Sequence, residues 1–595
     1  MTARPPRWDL AAWFEDFGPG FDGWLDRCAA TLAALDARAD ALGALTEERA
    51  PTWAGLLAEL EAVSADLQHA GAYATARAAA DVEDGAANAA TARVTAIGAA
   101  AEGLEARVVA ALGAASPAAF AALRGEAKLA GAAYRLDRWR ARARRAMAPG
   151  AERLAADLAV DGLQAWARLY RQITSAMTFE AEGETLPLAW LRGELERPEA
   201  KRRAAALAGA SRALEAQAPA LVAALNGIAG ARLTLDRHRG VPDPLDEACF
   251  ESAIDRETLD AMMGVVEEEA EIARRFLRLK AKLAGRETVR WCDLRAPLAG
   301  AEGAVIDWPG ARAAVIDAFE RHHPALAQFA GSMFDAGHIE ADPRRGKRPG
   351  AFCTRSLRAE DSRVYLSYTG HAADVRTLAH ELGHAYHNHA MRGLRPWARQ
   401  YPMTLAETAS IVAETLISDA WLADPDVSDA ARRRVLDARL GQIVVYLLDI
   451  PTRFHFERAL YAERARGELS PARACALMAE AQRAVFGDVL DGEGLHPWFW
   501  AEKLHFYLPG RRFYNFPYTF GYLFGQGVLA RARAAGVEVF QPTWIELLRR
   551  TGQGSVETIA ADVLGVDLRG RDFWHDALAE ARADLAAFEA LVGAR

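Results

Sequence analysis

From residue 24 to 180, apolar alanine and leucine recur among Glu, Asp and Arg with few prolines, as in "AYATARAAADVEDGAANAATARVTAIGAAAEGLEARVVAAL". This pattern predicts successive antiparallel helices, because alanine has the best helix propensity and its small side chain lets neighbours pack closely. No self-similar period of about 20–50 residues is present, so a solenoid is not expected. The pattern breaks at 178–205, "TFEAEGETLPLAWLRGELERPEAKRRAA", where Gly and Pro predict a short extended piece. Helices resume to about 285. Two strand-like stretches follow, "ETVRWCDLRAPL" (287–298) and "GAFCTRSLRAEDSRVYLSYTG" (350–370). In the second, Val364, Leu366 and Tyr368 alternate with Tyr365, Ser367 and Thr369. Beyond 370 the pattern is helical again. A small sheet is thus expected inside a large α protein.

Immediately after that sheet stands "LAHELGHAYHNHA" (378–390), which holds four of the chain's 14 histidines. With Asp374 as N-cap and Gly393 and Pro396 as terminators, a helix is expected over about 375–391. Positions four apart share a helix face, so His380 and His384 can converge on one ion. Glu381, beside the first ligand, can reach a water on that ion. This is the HExxH arrangement, in which two neutral imidazoles hold Zn2+ and a carboxylate takes a proton from water. The bland alternative is a surface helix with scattered histidines.

Zinc needs a third protein ligand. His387 shares the face but lies about 10 Å along the axis from His380, too far to close on the same ion. His389 points elsewhere. The metzincin continuation needs Gly at 387 and His at 390, where this chain has His387 and Ala390. In "YPMTLAETASIVAETLISDAWL" (401–422), Glu407 and Glu414 stand seven apart on a helical segment. One can reach the metal while the other orients a histidine N–H. The bland alternative is that both are solvated surface residues.

Composition narrows the partners. Hydrophobic residues make up 51% and charged residues 25%, as in folded proteins, and the net charge of −9 gives no reason to expect nucleic acid or an anionic membrane. No stretch reads as a signal peptide or approaches the roughly 20 apolar residues of a membrane span. Cys28, Cys249, Cys292, Cys353 and Cys475 form no CxxC pair and read as reduced thiols in a cytoplasm. Gly18, Gly20 and Gly23 spell GxGxxG without a strand–turn–helix context. The basic "RLDRWRARARR" (135–145) suits a solvated helix face, and "PRRGKRP" (343–349) a short basic loop able to attract acidic peptide ends.

"YTGHAADVRTLAHELGHAYHNHA" followed by "MTLAETASIVAETL" resembles the oligoendopeptidase F and thimet oligopeptidase family of zinc metallopeptidases. "RWCDLRAPL", "GKRPGAFCTRS", "RVYLSYTG", "HFYLPGRRFYNFPYTFGYLFGQGVLARA" and "LLRRTGQGSVETIAADVLGVDLRGRDFWHDAL" follow in the family's order. "YRLDRWRARARRAMAPGAERLAADL" is similar to the helical leader of the oligoendopeptidase F branch, and the likeness runs from about 110 to the C-terminus.

The resemblance implies His380 and His384 as metal ligands, Glu381 as general base, Glu407 as third ligand and Glu414 in support of the ligands. It also implies His505 and Tyr518, with Tyr514 the next candidate, as donors facing the scissile bond. The implied fold is mainly α, a two-lobed gluzincin of the neurolysin-like kind. A small β-sheet would lie beside the HExxH helix and a deep cleft between the lobes. Residues 1–180 would form an N-terminal helical domain and 181–595 the catalytic domain. The implied activity is internal cleavage of short unstructured oligopeptides in the cytoplasm, with one Zn2+ per chain. Neither nucleic acid nor membrane is an expected partner, and the oligomeric state is left open, compatible with a monomer.

Two further expectations concern substrate. The strand "SRVYLSY" is expected to offer an exposed edge to an extended peptide, beside a loop in which Gly350 allows close approach. Gly383, costly inside a helix, is expected to mark close packing on the metal helix. The alternatives are a zinc carboxypeptidase, for which Arg511 or Arg512 would bind the terminal carboxylate, and a catalytically dead peptide-binding protein.

Overall fold

The computed structural model describes residues 4–298 and 305–593, and they are mostly helical. Packing divides the chain into two compact units that interleave along the sequence. The first comprises Met1–Ala146, Gly303–Ala423 and Arg531–Val566; the second comprises Met147–Glu302, Asp424–Ala530 and Asp567–Arg595. The expected boundary at 180 divides the sequence, whereas packing joins the first 146 residues to the HExxH region.

In the first unit, helices Pro19–Leu42, Ala50–Ala80 and Gly85–Ala114 close on a core of Leu32, Leu57, Leu104 and Leu112. Trp397, just beyond the HExxH helix, joins that core with its ring 4.9 Å from Trp139. Glu61 accepts the Trp397 backbone N–H at 2.7 Å and pairs with Arg395, fixing the N-terminal helices to the chain beyond the histidines. The expected basic helix forms as Ala133–Ala143 and buries Leu136 and Trp139, so only its remaining face is solvated.

The main sheet orders β3 (Ile339–Glu340), β5 (Asp361–Tyr365) and β4 (Phe352–Ser356), with β5 central. β5 pairs in parallel with β3 and antiparallel with β4, Cys353 standing opposite Val364. The strand expected to offer an edge is therefore an inner one, and β4 lies at the edge. Ser362 to Leu366 are all buried, which is why the period-2 alternation in the sequence is weak. In "PRRGKRP", Lys347 Nζ lies 3.2 Å from buried Glu340 and Arg344 pairs with the same carboxylate, while Arg345 and Arg348 are exposed.

In the second unit, the break at 178–205 holds a hairpin of β1 (Thr178–Ala181) and β2 (Glu184–Pro187). "ETVRWCDLRAPL" is not a strand; a single bridge joins Val289 to Leu490, and Trp291–Asp293 is a 3-10 turn. Among the described residues one helix, Ala218–Arg239, is by length and mean hydropathy apolar enough to cross a membrane. It is a core helix here, burying Leu221, Leu225 and Ile228 together with Asn226, Arg232 and Asp236.

Candidate metal centre

The histidine helix runs Ala372–Ala390. Its N-cap is His371, three residues before the expected Asp374, which instead is the third residue of the helix and completes a capping box. Asp374 Oδ2 accepts the backbone N–H of His371 at 3.2 Å and of Thr369 at 2.7 Å, fixing the turn from the sheet into the helix. Gly383 faces the next element so closely that a Cβ there would stand 2.6 Å from the Ala409 carbonyl oxygen and 2.7 Å from Ser410 Cα. The neighbour is the carboxylate helix, Thr408–Ala423, which follows the short turn Met403–Ala406. Glu407 sits at the junction of the two with φ −87° and ψ −1°, and Ser410 Oγ donates to its Oε2 at 2.8 Å.

This packing brings His380, His384 and Glu407 together, with one donor atom of each within 4.8 Å of the others. Glu407 Oε2 lies 3.2 Å from His380 Nε2 and 3.5 Å from His384 Nε2, and the imidazoles cross at 84°. Two imidazole nitrogens and one carboxylate oxygen fit a zinc-type ion with a fourth position left open. His380 Nδ1 faces Glu414 Oε2 at 3.3 Å, and Glu414 Oε1 lies 3.9 Å from Arg376 Nη1. Glu381 is buried beside the group, and its Oε2 has no hydrogen-bond partner among the described residues.

Burial opposes charge on His380, yet its bonds to Glu407 and Glu414 raise it well above the ordinary imidazole value. Glu407 is drawn down to about 2 against its burial by His380, His384 and Ser410. Burial lowers His384 to about 4. Burial pushes Glu381 up to about 7, against a backbone hydrogen bond from Cys353 in β4. A carboxyl poised near neutrality is suited to moving protons.

The remaining histidines of the cluster stand elsewhere. His387 is fully buried, stacks on Tyr401 at 4.2 Å and bonds Thr551 Oγ1 through Nε2 at 2.9 Å. His389 packs against the Phe329 ring.

His505, Tyr514 and Tyr518 lie in the second unit and come together there. Their ring centroids are 5.5 Å apart for His505–Tyr514, 6.3 Å for His505–Tyr518 and 5.7 Å for Tyr514–Tyr518. The loop that carries them is tied down. Phe513 holds φ +50°, a strained value for a bulky residue, and donates its N–H to Glu457 at 2.8 Å. Arg232 donates to the carbonyls of Leu508 and Arg511. Arg512 pairs with Asp236, while Arg511 lies over the Tyr514 ring at 5.3 Å.

Sequence reasoning missed the groups that hold these residues. Arg376 precedes His380 by four on the same helix, a spacing that does signal a shared face. Arg453, Asp449 and Asn515 surround His505 from distant segments and leave no such signal.

Residues 323–559 match peptidase family M3, and residues 112–179 match Oligopeptidase F. The oligoendopeptidase F homolog of Lactococcus lactis subsp. lactis (strain IL1403) is 24% identical over 326 residues, covering 53% of this chain and 51% of that protein. The chromosomal oligoendopeptidase F of Lactococcus lactis subsp. cremoris is 23% identical over 281 residues, covering 46% and 45%. The chain thus spans about half the length of the curated relatives it matches. Oligoendopeptidase-F from Enterococcus faecium shares the fold, with a TM-score of 0.72 over 97% of this chain and 100% of that one at 16% identity.

Fold and site together are those of a mostly helical chain organised around an HExxH helix whose cluster could hold a metal. The two matched regions are similar to peptidase family M3 and, at 112–179, to Oligopeptidase F, and the curated relatives are oligoendopeptidases F.

Proposed function

We propose that this chain is a zinc-dependent endopeptidase that hydrolyses internal bonds of short, unstructured peptides. The observation that carries the reading is the convergence of His380, His384 and Glu407 beside a buried carboxylate, Glu381, whose Oε2 has no partner among the described residues. His380, His384 and Glu407 would hold one zinc, which when bound supplies a Lewis acid to the water and to the scissile carbonyl.

Glu381 takes the proton of the attacking water and delivers it to the leaving amine. Glu414 faces Nδ1 of His380 and would accept its proton, which would leave the Nε2 lone pair for the zinc that His384 and Glu407 also face. Tyr518, with Tyr514 as the second candidate, and His505 donate to the carbonyl oxygen as negative charge develops, a contribution of about 3 kcal/mol per well-aimed donor. Their part rests on the family resemblance and on their mutual proximity. An extended peptide can add to the edge strand β4 through main-chain hydrogen bonds, which fix register without demanding particular side chains. Gly350, at φ +100°, precedes that strand with nothing within 4 Å of where a Cβ would stand. Peptide turnover in the cytoplasm is the corresponding role.

Trimming from the C-terminus would call for a free guanidinium at the site, and the ion pair of Arg512 with Asp236 removes one of the two candidates. A pool of short synthetic peptides digested by the purified chain and read by mass spectrometry tests the reading. Internal cuts are expected. Loss of single C-terminal residues would establish the carboxypeptidase instead, and an intact pool under every divalent metal would leave only a binding protein.

A further inference from the structure

Asp449 and Arg453 form a buried bidentate pair, with Nε donating to Oδ1 at 2.7 Å and Nη2 to Oδ2 at 2.8 Å. They are 8% and 7% exposed, and the guanidinium lies over the Phe499 ring at 5.1 Å. The remaining nitrogen, Nη1, stands 3.2 Å from His505 Nδ1 and 3.2 Å from Asn515 Oδ1. An arginine can only donate. A proton on Nδ1 would set two N–H groups against each other, so Nδ1 must present its lone pair. The ring proton then belongs on Nε2.

The backbone is shaped to make this pair. Pro451 has no N–H for the Leu447 carbonyl, and the chain makes a π turn over Val445–Asp449, ending on the aspartate. Within that turn the Tyr446 carbonyl accepts Thr519 Oγ1 at 3.0 Å, next to Tyr518, and the Tyr446 ring stacks on Tyr522 at 4.2 Å. One irregular turn is thus tied to both His505 and the start of the helix that carries Tyr518.

We infer that Arg453, clamped by Asp449, is a positioning residue that holds His505 as a neutral ring with its proton on Nε2, a ready-made hydrogen-bond donor. The inference rests on the proposed role of His505 as a donor to the reacting carbonyl. Burial first, then the charges of Arg453 and Lys503, pull His505 down to about 4, against Asn515 and Asp449. Tyr514 and Tyr518 complete its surroundings.

The test uses the full chain labelled with 15N-histidine, its His505 signals assigned from their absence in His505→Gln. Wild type is expected to show a neutral Nε2–H ring across neutral pH. Asp449→Asn combined with Arg453→Gln removes both charges together and leaves no orphaned carboxylate. In it the ring is expected to titrate near the ordinary value of about 6.5. Its kcat should fall about 10- to 100-fold with KM little changed, and adding His505→Gln should cause no further loss. Should the double variant fail to fold, Arg453→Lys keeps the ion pair but cannot serve Nδ1 and Asn515 together, and should move both readouts the same way. A wild-type ring protonated at neutral pH or carrying Nδ1–H overturns the inference, as does a folded variant with unaltered ring and kcat. Wild-type kcat in His505→Gln would instead overturn the donor role beneath it, while the ring's tautomer would still be read directly.

Discussion

His380 offers its two ring nitrogens to two carboxylates, Nε2 to Glu407 and Nδ1 to Glu414, at 3.2 and 3.3 Å. That double engagement is what a built metal site would require and what histidines that merely share a helix face lack. Replacing Glu414 by Ala should weaken zinc binding by about 10–100-fold, because the imidazole loses the acceptor that fixes its tautomer and direction. Competition against a chelator of known affinity measures this, and unchanged affinity would remove Glu414 from the site. The other histidines give the converse expectation. His387→Gln should retain stoichiometric metal and lose only stability, about 1–3 kcal/mol for the disturbed buried bond to Thr551, while His384→Gln should lose the metal. Metal analysis of the two purified variants decides between them. The convergence of His380 and His384 was legible from spacing alone, since a helix leaves little choice about which side chains share a face. Arg453 was not, because its partners come from segments that only the fold brings together.

At the scale of elements, the joint between the histidine and carboxylate helices is the tightest contact around the site. Gly383→Ala would add about 1 kcal/mol of helix propensity, yet the new methyl would meet the Ala409 carbonyl at 2.6 Å. Overpacking against backbone is expected to win, with a net loss of about 1–3 kcal/mol and weaker metal binding as Glu407 is pushed away. Thermal unfolding checks the sign, and a variant more stable than wild type would show that the helices can separate. The HExxH helix and the 178–205 interruption could be read from the chain because glycine, proline and capping residues act locally. Strand order could not. β5 lies between β3 and β4, and its burial on both faces erased the alternation that marks a half-exposed strand. The N-cap was misplaced by three residues for a similar reason: Asp374 closes the capping box from inside the helix, a role sequence cannot tell from the cap itself.

At the scale of the molecule, the two interleaved units were out of reach of composition, because helices far apart in sequence share one core through contacts that carry no local signal. The metal group lies wholly within the first unit, so its occupancy should be felt there as stability. At free zinc about 100 times the dissociation constant, linkage adds about 2.7 kcal/mol, and chelation should lower Tm correspondingly. His384→Gln should melt at one temperature with or without zinc; a zinc-dependent Tm in that variant would place the ion elsewhere. The central claim is that a metal and Glu381 together cut peptides. Its most direct test is to compare wild type with Glu381→Gln for bound zinc and for the rate of cleavage of one internally quenched peptide. Equal zinc with cleavage slowed about 10^2–10^4-fold is expected, since the substitution removes the proton carrier and spares the ligands. Equal zinc with undiminished cleavage would contradict it.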